Sequence, residues 1–346
     1  MPKTPKPDEL HWKLEKKTLP LRFLWRISRG SLDCKESYFL TLDDGTKSAM
    51  GEIAPNTRYN NTPEVIEAQF ATFEKAASAK ALSSMTLVEF NSWLNELNLC
   101  NALRFGIESA WVHLQSEKLG VAVNRFLKLP AATQIATSFS VPIMDESELE
   151  AFMRPLGRFP SLKIKVDAET GKDTIDAVAR LSNQKLRIDA NESWTDPSDF
   201  MRFVESLKGK NIEFVEQPLP SSMKEAYREI LPRMPFPLIA DESIENTADF
   251  DELKSLFSGV NVKLMKSGGY LTAIDLLRKA RAHGMRTMLG CMVETSLGIA
   301  SAMSLCSLVD YADLDGFLLI KDDPFGFVRE TDGILTFSES WKRGTR

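Results

Sequence analysis

"LKIKVDAETG", residues 162–171, places Lys163 and Lys165 on either side of one isoleucine in what otherwise reads as a buried β-strand. Side chains alternate along a strand, so both lysines face the same way. From about residue 130 onward, short apolar runs alternate with helical stretches: "ATSFSV", "LKIKV", "KLRIDA", "IEFVEQP", "PLIADES", "VNVKLM", "RTMLGC" and "DLDGFLLI". Strands separated by single helices pair in parallel, and eight of them imply a closed α/β barrel. An open doubly wound sheet is the alternative, but it calls for a glycine-rich phosphate turn after its first strand, and none is present.

The charges fall at regular places on those strands. The second barrel strand carries Lys163 and Lys165, the third ends at Asp189, the fourth at Glu216 and the fifth at Asp241, and the sixth carries Lys266. From Lys165 the intervals are 24, 27, 25 and 25 residues, each one strand plus one helix. Equivalent positions on successive strands meet at the C-terminal rim of a barrel, where active sites of such barrels sit. One lysine or aspartate at a strand end is ordinarily a solvated rim residue. Six at one-unit spacing read differently, because unpaired buried charge costs on the order of several kcal/mol. Such a ring serves a metal, a substrate or a structural salt-bridge network. Asp, Glu and Asp as oxygen ligands suit a hard divalent cation such as Mg²⁺. Zinc is disfavoured: of three histidines, His11 and His113 lie in the N-terminal part and His283 in the helix before the seventh strand.

The N-terminal part is organised differently. Residues 1–10 read as a disordered tail; about 11 to 53 are strand-like, with "DDGT" as a hairpin turn; and "TPEVIEAQFATFEKAA", 86–97 and 100–118 carry helical periods. A three-stranded sheet with a small helical bundle accounts for them. The 346 residues are 43% hydrophobic and 26% charged, with a formal net charge of −5 and no basic block outside the tail, so neither nucleic acid nor an anionic membrane is an expected partner. The longest apolar runs are too short to span a bilayer, and "MPKTPKPDEL" lacks the apolar core of a secretory signal. Cys34, Cys100, Cys291 and Cys306 form no C-x-x-C pair, which suits reduced thiols and a cytoplasmic location.

Taken in order, "KIK", "DANESW", "EQP", "ADES" and "KLMKSGG" resemble the enolase superfamily, specifically its muconate-lactonising-enzyme subgroup; "GCMVETSLGIA" and "YADLDGFLLI" resemble its dipeptide epimerases. The resemblance implies a modified (β/α)7β TIM-like barrel over 129–321, an α+β N-terminal capping domain over 11–128, and a C-terminal segment, 322–346, returning to the cap. It also implies an isomerase: an Mg²⁺-dependent epimerase inverting the α-carbon of the C-terminal residue of a dipeptide. Asp189, Glu216 and Asp241 resemble the Mg²⁺ ligands, Lys165 and Lys266 the acid/base pair on opposite faces of that carbon, and Lys163 the lysine holding the carboxylate and its enolate. The residue types fit this chemistry. Removing a proton beside a carboxylate builds a second negative charge, which a divalent cation and an ammonium stabilise. A lysine acting as base must be neutral, and nearby cations or desolvation lower its pKa.

The resemblance assigns Asp313 and Asp315 to the dipeptide's ammonium, and their i, i+2 spacing turns both toward the mouth. Read alone, they are a polar strand end before a turn at Gly316. Glu294 is expected to support the rim, touching either ligand or Lys266, and Asn191 to back the metal ligands or cap the next segment. A loop between the first two strands, "RFLWRISRGSLDCKES", is expected to close over the barrel, with its "ISRG" resembling Ala-Glu epimerases. Arg29, or else Arg26, then pairs with a glutamate carboxylate; Trp25 and Leu24 instead would line an apolar pocket. The small-molecule partner is thus L-Ala-L/D-Glu or a related, hydrophobic dipeptide. Two rivals stand beside this. A same-fold lyase or cycloisomerase, an o-succinylbenzoate synthase or lactonising enzyme, has no need of Asp313 and Asp315. A non-catalytic barrel predicts loss of a ligand or lysine, and no loss is seen. Such barrels are often homo-oligomers.

Overall fold

The computed structural model describes residues 10–342, apart from the side chain of Lys342; the tail expected over 1–10 lies outside them but for Leu10. Strands β1 (His11–Ile27), β2 (Gly30–Asp43) and β3 (Ser48–Ile53) form an antiparallel sheet in that order. The "DDGT" turn closes through Asp44, whose Oδ1 accepts from Thr46 N at 2.9 Å and Lys47 N at 2.8 Å, as short acidic side chains do in turns. Against the sheet pack α1 (Pro63–Ala77) and α3 (Asn101–Leu119), and α2 (Leu87–Glu96) packs on those two helices. Thr62 caps α1 ahead of Pro63, and Thr86 with Glu89 forms a capping box on α2. α3 is buried along most of its length because it lies between β3 and the helix pair that follows barrel residue Lys263. The approach is close: a Cβ on Gly51 would sit 2.0 Å from Gly106 O, and one on Gly106 would sit 2.2 Å from Ile53 Cγ1.

A short strand, β4 (Gln134–Ala136), leads into the barrel. Its staves are β5 (Ser138–Val141), β6 (Ser161–Lys165), β7 (Lys185–Asp189), β8 (Ile212–Glu216), β9 (Leu238–Ala240), β10 (Gly259–Lys263), β11 (Arg286–Gly290) and β12 (Tyr311–Asp313), all neighbours parallel and in chain order. No ladder joins β12 to β5. Side chains close that seam: Ser138 Oγ donates to Asp313 Oδ1 at 2.7 Å, Ser140 N to Asp315 Oδ2 at 2.6 Å, and Leu314 N to Thr137 Oγ1 at 2.8 Å. One step below the strand ends, Phe214, Ile239 and Met288 fill the interior, and the Arg187 guanidinium lies between the Phe214 and Tyr311 rings, 5.3 and 5.4 Å from their centroids. The mouth therefore has a floor of apolar side chains that encloses one guanidinium.

Beyond the barrel, β13 (Val328–Thr331) and β14 (Ile334–Phe337) form a hairpin that pairs with β4. Phe325 meets Phe39 and Trp341 meets His113, with ring centroids 5.1 Å apart in both cases, so this segment touches both the barrel approach and the N-terminal part. His113 is a satisfied core residue: Nδ1 donates to Met50 O at 2.7 Å, so the neutral ring accepts from Tyr270 Oη at 2.8 Å. Among the described residues, no helix is long and apolar enough to cross a membrane.

The β3–α3 contact has no room for a methyl group. Gly106→Ala is expected to lower stability by about 1–3 kcal/mol, read as a drop in the calorimetric melting temperature; an unchanged midpoint would show that the two elements can separate without cost.

Candidate active site

Parallel register places the charged residues in one layer. Lys165 is paired with Asp189, Asp189 with Glu216, Lys263 with Gly290, and Gly290 with Asp313, while Asp241 directly follows β9. The ligand atoms of Asp189, Glu216 and Asp241 lie within 4.8 Å of one another, all buried. Lys163 Nζ stands 2.9 Å from Asp189 Oδ2, 2.9 Å from Glu216 Oε2 and 2.8 Å from Asp313 Oδ2. Lys165 Nζ donates to Asp189 Oδ2 at 2.6 Å and to Asn191 Oδ1 at 3.2 Å.

The sixth strand departs from the sequence reading. β10 ends at Lys263, and Lys266 sits on the helical turn Leu264–Ser267 that follows. Lys263 lines the mouth and contacts Asp241 Oδ2 at 2.8 Å. The Lys266 ammonium is instead spent on Asp241 Oδ1 at 2.5 Å, Asp241 O at 2.6 Å and Asn261 O at 3.5 Å. With three N–H groups and three acceptors, it has none left to offer a ligand. Strand alternation was the signal for Lys263: Asn261 and Lys263 repeat the i, i+2 relation of Lys163 and Lys165.

The three carboxylates fit a divalent cation. Burial first, then the neighbouring Asp189 charge, pushes the Glu216 carboxyl up to about 7, whereas the lysines hold Asp189 and Asp241 low against their own burial. Glu216 Oε2 is buried and, although near Lys163, accepts no hydrogen bond; Glu242 Oε2 is likewise unpartnered. An all-oxygen site with an unsatisfied oxygen is what a hard cation takes. Residues not anticipated from sequence position it. Asn261 Nδ2 donates to Glu216 Oε1 at 2.8 Å, and Gly290 leaves the space, since a Cβ there would lie 2.4 Å from Asn261 Oδ1. Gln217, at φ 37°, accepts Asp241 N through Oε1 at 2.9 Å and donates to Tyr227 Oη and Ser243 Oγ.

The layer opens into a cavity of about 160 Å³. Lys163, Lys165, Asp241, Lys263, Asp313 and Asp315 line it from the barrel; Trp25, Ile27, Arg29, Leu32, Lys35 and Tyr59 line it from the cap. Burial, and then Asp313, pushes Asp315 up to about 7. The segment expected as a loop is a β-ribbon: Trp25 pairs with Leu32, Arg26 with Ser31 and Ile27 with Gly30 after a register break at Pro20. This turns Trp25 inward and leaves Leu24 58% exposed and Arg26 off the cavity, correcting the apolar-pocket role for Leu24. Arg29 reaches the cavity, but its Nη1 already meets Glu242 Oε1 at 2.7 Å and donates to Asn191 O at 3.2 Å. Glu294 lies behind the wall, its Oε1 accepting Met292 N at 2.7 Å, and near Lys35 rather than Lys266.

Residues 147–331 match the family model for the enolase C-terminal domain-like fold. An L-Ala-D/L-amino acid epimerase of Pedosphaera parvula is 34% identical over 313 residues, 87% of each chain. Among solved structures, an enolase family member from Agrobacterium tumefaciens with homology to dipeptide epimerases, bound to sodium and L-Ala-L-Glu, superposes with TM-score 0.86 at 25% identity over 97% of this chain and 100% of that one. A dipeptide epimerase of Methylococcus capsulatus complexed with Mg and L-Arg-D-Lys gives TM-score 0.86 at 25% identity, covering 95% and 97%. The chain belongs to the enolase superfamily.

Two measurements probe this site. Mg²⁺ binds only the folded triad, so it should raise the melting temperature, and Glu216→Gln should remove most of the rise; equal midpoints with and without Mg²⁺ would dismiss the site. Burial pushes Glu52 up to about 7, and burial with Glu52 pushes Glu294 up to about 8. The folded chain then keeps protons that the unfolded chain has released, so stability falls as pH rises from about 5 to about 8. Glu294→Gln should flatten that slope in melting curves taken across the window.

Proposed function

We propose that the chain is an Mg²⁺-dependent dipeptide epimerase, inverting the α-carbon of the C-terminal residue of L-Ala-L/D-Glu or a related dipeptide. One observation carries the reading. Lys165 and Lys263 end the second and sixth staves of an eight-stave barrel, four apart and therefore across the mouth from each other, and both face one cavity beside the carboxylate triad. Two lysines so placed reach opposite faces of one carbon.

Asp189, Glu216 and Asp241 would hold Mg²⁺, which supplies positive charge where the substrate carboxylate gains its second negative charge. Lys163, from the same face of β6 as Lys165, adds an ammonium there. Lys165 takes the α-proton from one face as the free amine, and Lys263 returns one from the other as ammonium; the reverse direction exchanges the roles. Asp313 and Asp315 receive the dipeptide's ammonium on the adjoining wall. Residues 11–128 act as the cap, with the ribbon tip and Tyr59 excluding water. A cytoplasmic setting agrees with the four free cysteines.

Incubation with Mg²⁺ in D₂O and L,L-dipeptides, read by mass spectrometry and chiral analysis, should show deuterium at the C-terminal α-carbon together with inversion. Lys165→Ala and Lys263→Ala should each abolish inversion while still exchanging the α-proton of one epimer, and Lys266→Met should still invert. Inversion lost in Lys266→Met but kept in Lys263→Met would return the second role to Lys266. No exchange with any dipeptide would move the assignment to a lyase.

A further inference from the structure

Five cationic side chains line the cavity: Arg29, Lys35, Lys163, Lys165 and Lys263. Four are matched. Lys163, Lys165 and Lys263 stand 2.9, 2.6 and 2.8 Å from a buried carboxylate oxygen. Arg29 Nη1 lies 2.7 Å from Glu242 Oε1 and 3.5 Å from Glu192 Oε2. Its neighbour Ser28 Oγ donates to Asn191 O at 3.2 Å, so the ribbon tip is fastened to the barrel rim at two adjacent residues.

Lys35 differs. Among the described residues no carboxylate lies within 4.0 Å of its ammonium, and its one hydrogen bond goes to a backbone carbonyl, Pro55 O. The nearest acids are committed elsewhere. Glu36 faces Lys16 at 2.9 Å. Glu52 accepts Thr295 N at 2.9 Å and Gly298 N at 3.0 Å, and Glu294 accepts Met292 N. Burial lowers the Lys35 pKa despite these acids, the sign of a charge without local compensation. A lysine has three N–H groups, and a partly buried ammonium using one of them stays costly until something brings an anion.

We infer that Lys35 reads a side-chain carboxylate of the substrate, so that the preferred dipeptides carry an acidic residue, and that Arg29 is a positioning residue fastening the ribbon over the mouth. The inference rests on the epimerase reading for the dipeptide itself. The α-carboxylate is not the partner of Lys35, because that group is used on the barrel side by the triad and Lys163. Lys35 stands on the cap side with Pro55, next to Asn56, whose Nδ2 approaches Met292 Sδ at 3.6 Å. The acidic side chain can belong to either residue of the dipeptide, and the two sources share one chemistry.

The test uses the full chain loaded with Mg²⁺. Calorimetric titrations compare L-Ala-L-Glu with L-Ala-L-Gln and L-Glu-L-Ala with L-Gln-L-Ala, and deuterium exchange is followed in parallel. One acidic dipeptide should bind about 10- to 100-fold tighter than its amide isostere, the range for a charge-assisted hydrogen bond; which pair shows it names the residue read. Lys35→Met should erase that ratio and Lys35→Arg keep part of it, both with melting temperatures checked. Arg29→Met should weaken acid and amide alike and leave the ratio standing. Equal binding of acid and amide by the unaltered chain overturns the inference, as does a ratio unchanged in folded Lys35→Met or lost only in Arg29→Met. Exchange without acid preference removes the Lys35 role and leaves the epimerase; acid preference through Lys35 without exchange does the reverse.

Discussion

Three carboxylates within 4.8 Å of one another, out of contact with water, repel unless something positive stands among them. The architecture around the mouth answers this constraint. Lys163 is shared between Asp189, Glu216 and Asp313, Lys165 supports Asp189, and Lys263 and Lys266 both support Asp241. The support is uneven. Asp189 and Asp241 each have two ammonium neighbours, while Glu216 has only its share of Lys163 and an oxygen without a hydrogen bond, which is why its carboxyl alone of the three is pushed up. The four lysines match the four carboxylates in number but not in distribution, and Glu216, the least supported, keeps an oxygen without a hydrogen bond for a further cation.

The cap is tied to the same layer through one turn. Asn191 and Glu192 both adopt left-handed backbone conformations, φ 45° and 66°. That geometry is uncommon outside glycine, and the contacts around the turn hold it there. Asn191 N donates to Asp189 Oδ1, its side chain bridges Lys165 and Glu242, and its carbonyl accepts from Ser28 and Arg29. Glu192 receives the Arg58 guanidinium from the turn Thr57–Tyr59 through both oxygens. The Asp189 carboxylate, the Lys165 ammonium, the ribbon tip and the turn Thr57–Tyr59 therefore meet around four residues, 189–192. Displacing the cap cannot leave the lysine's surroundings unchanged.

Much of this was legible because a parallel barrel turns sequence spacing into spatial coincidence: one strand plus one helix per step brings Lys165, Asp189, Glu216 and Asp241 to one rim. The limits were physical. "KLMK" offers two lysines, and choosing between them requires knowing that the strand stops at Lys263 and a helical turn begins at Leu264. The ribbon at 22–37 read as a loop because its pairing resumes only after a break at Pro20, and no local pattern announces that. Gln217, Asn261 and Glu52 carried no signal, since each gains its role from a distant partner. Glu52 holds the start of the helix at Thr295, 243 residues away, and a buried acid at such a helix N-terminus is recognisable only once the two are side by side.

The seam between β12 and β5 constrains the barrel side of the cavity. Asp313 and Asp315 face the cavity, yet each already spends an oxygen on Ser138 or Ser140 across the one stave junction that lacks a ladder. Changing either to suit a different ligand would also loosen the closure of the barrel. The lysines and the carboxylates are bound by their mutual neutralisation in the same way. The cap ribbon is attached at separate points: at Ser28 and Arg29, at Arg26 O, which accepts from Ile143 N at 2.9 Å, and at the β1 contact with Leu319–Lys321. Of the ribbon residues that line the cavity, Trp25 is held by the layer, its ring 5.9 Å from Lys165 Nζ, whereas Leu32 is 37% exposed on the returning strand and is the freer of the two to differ in size.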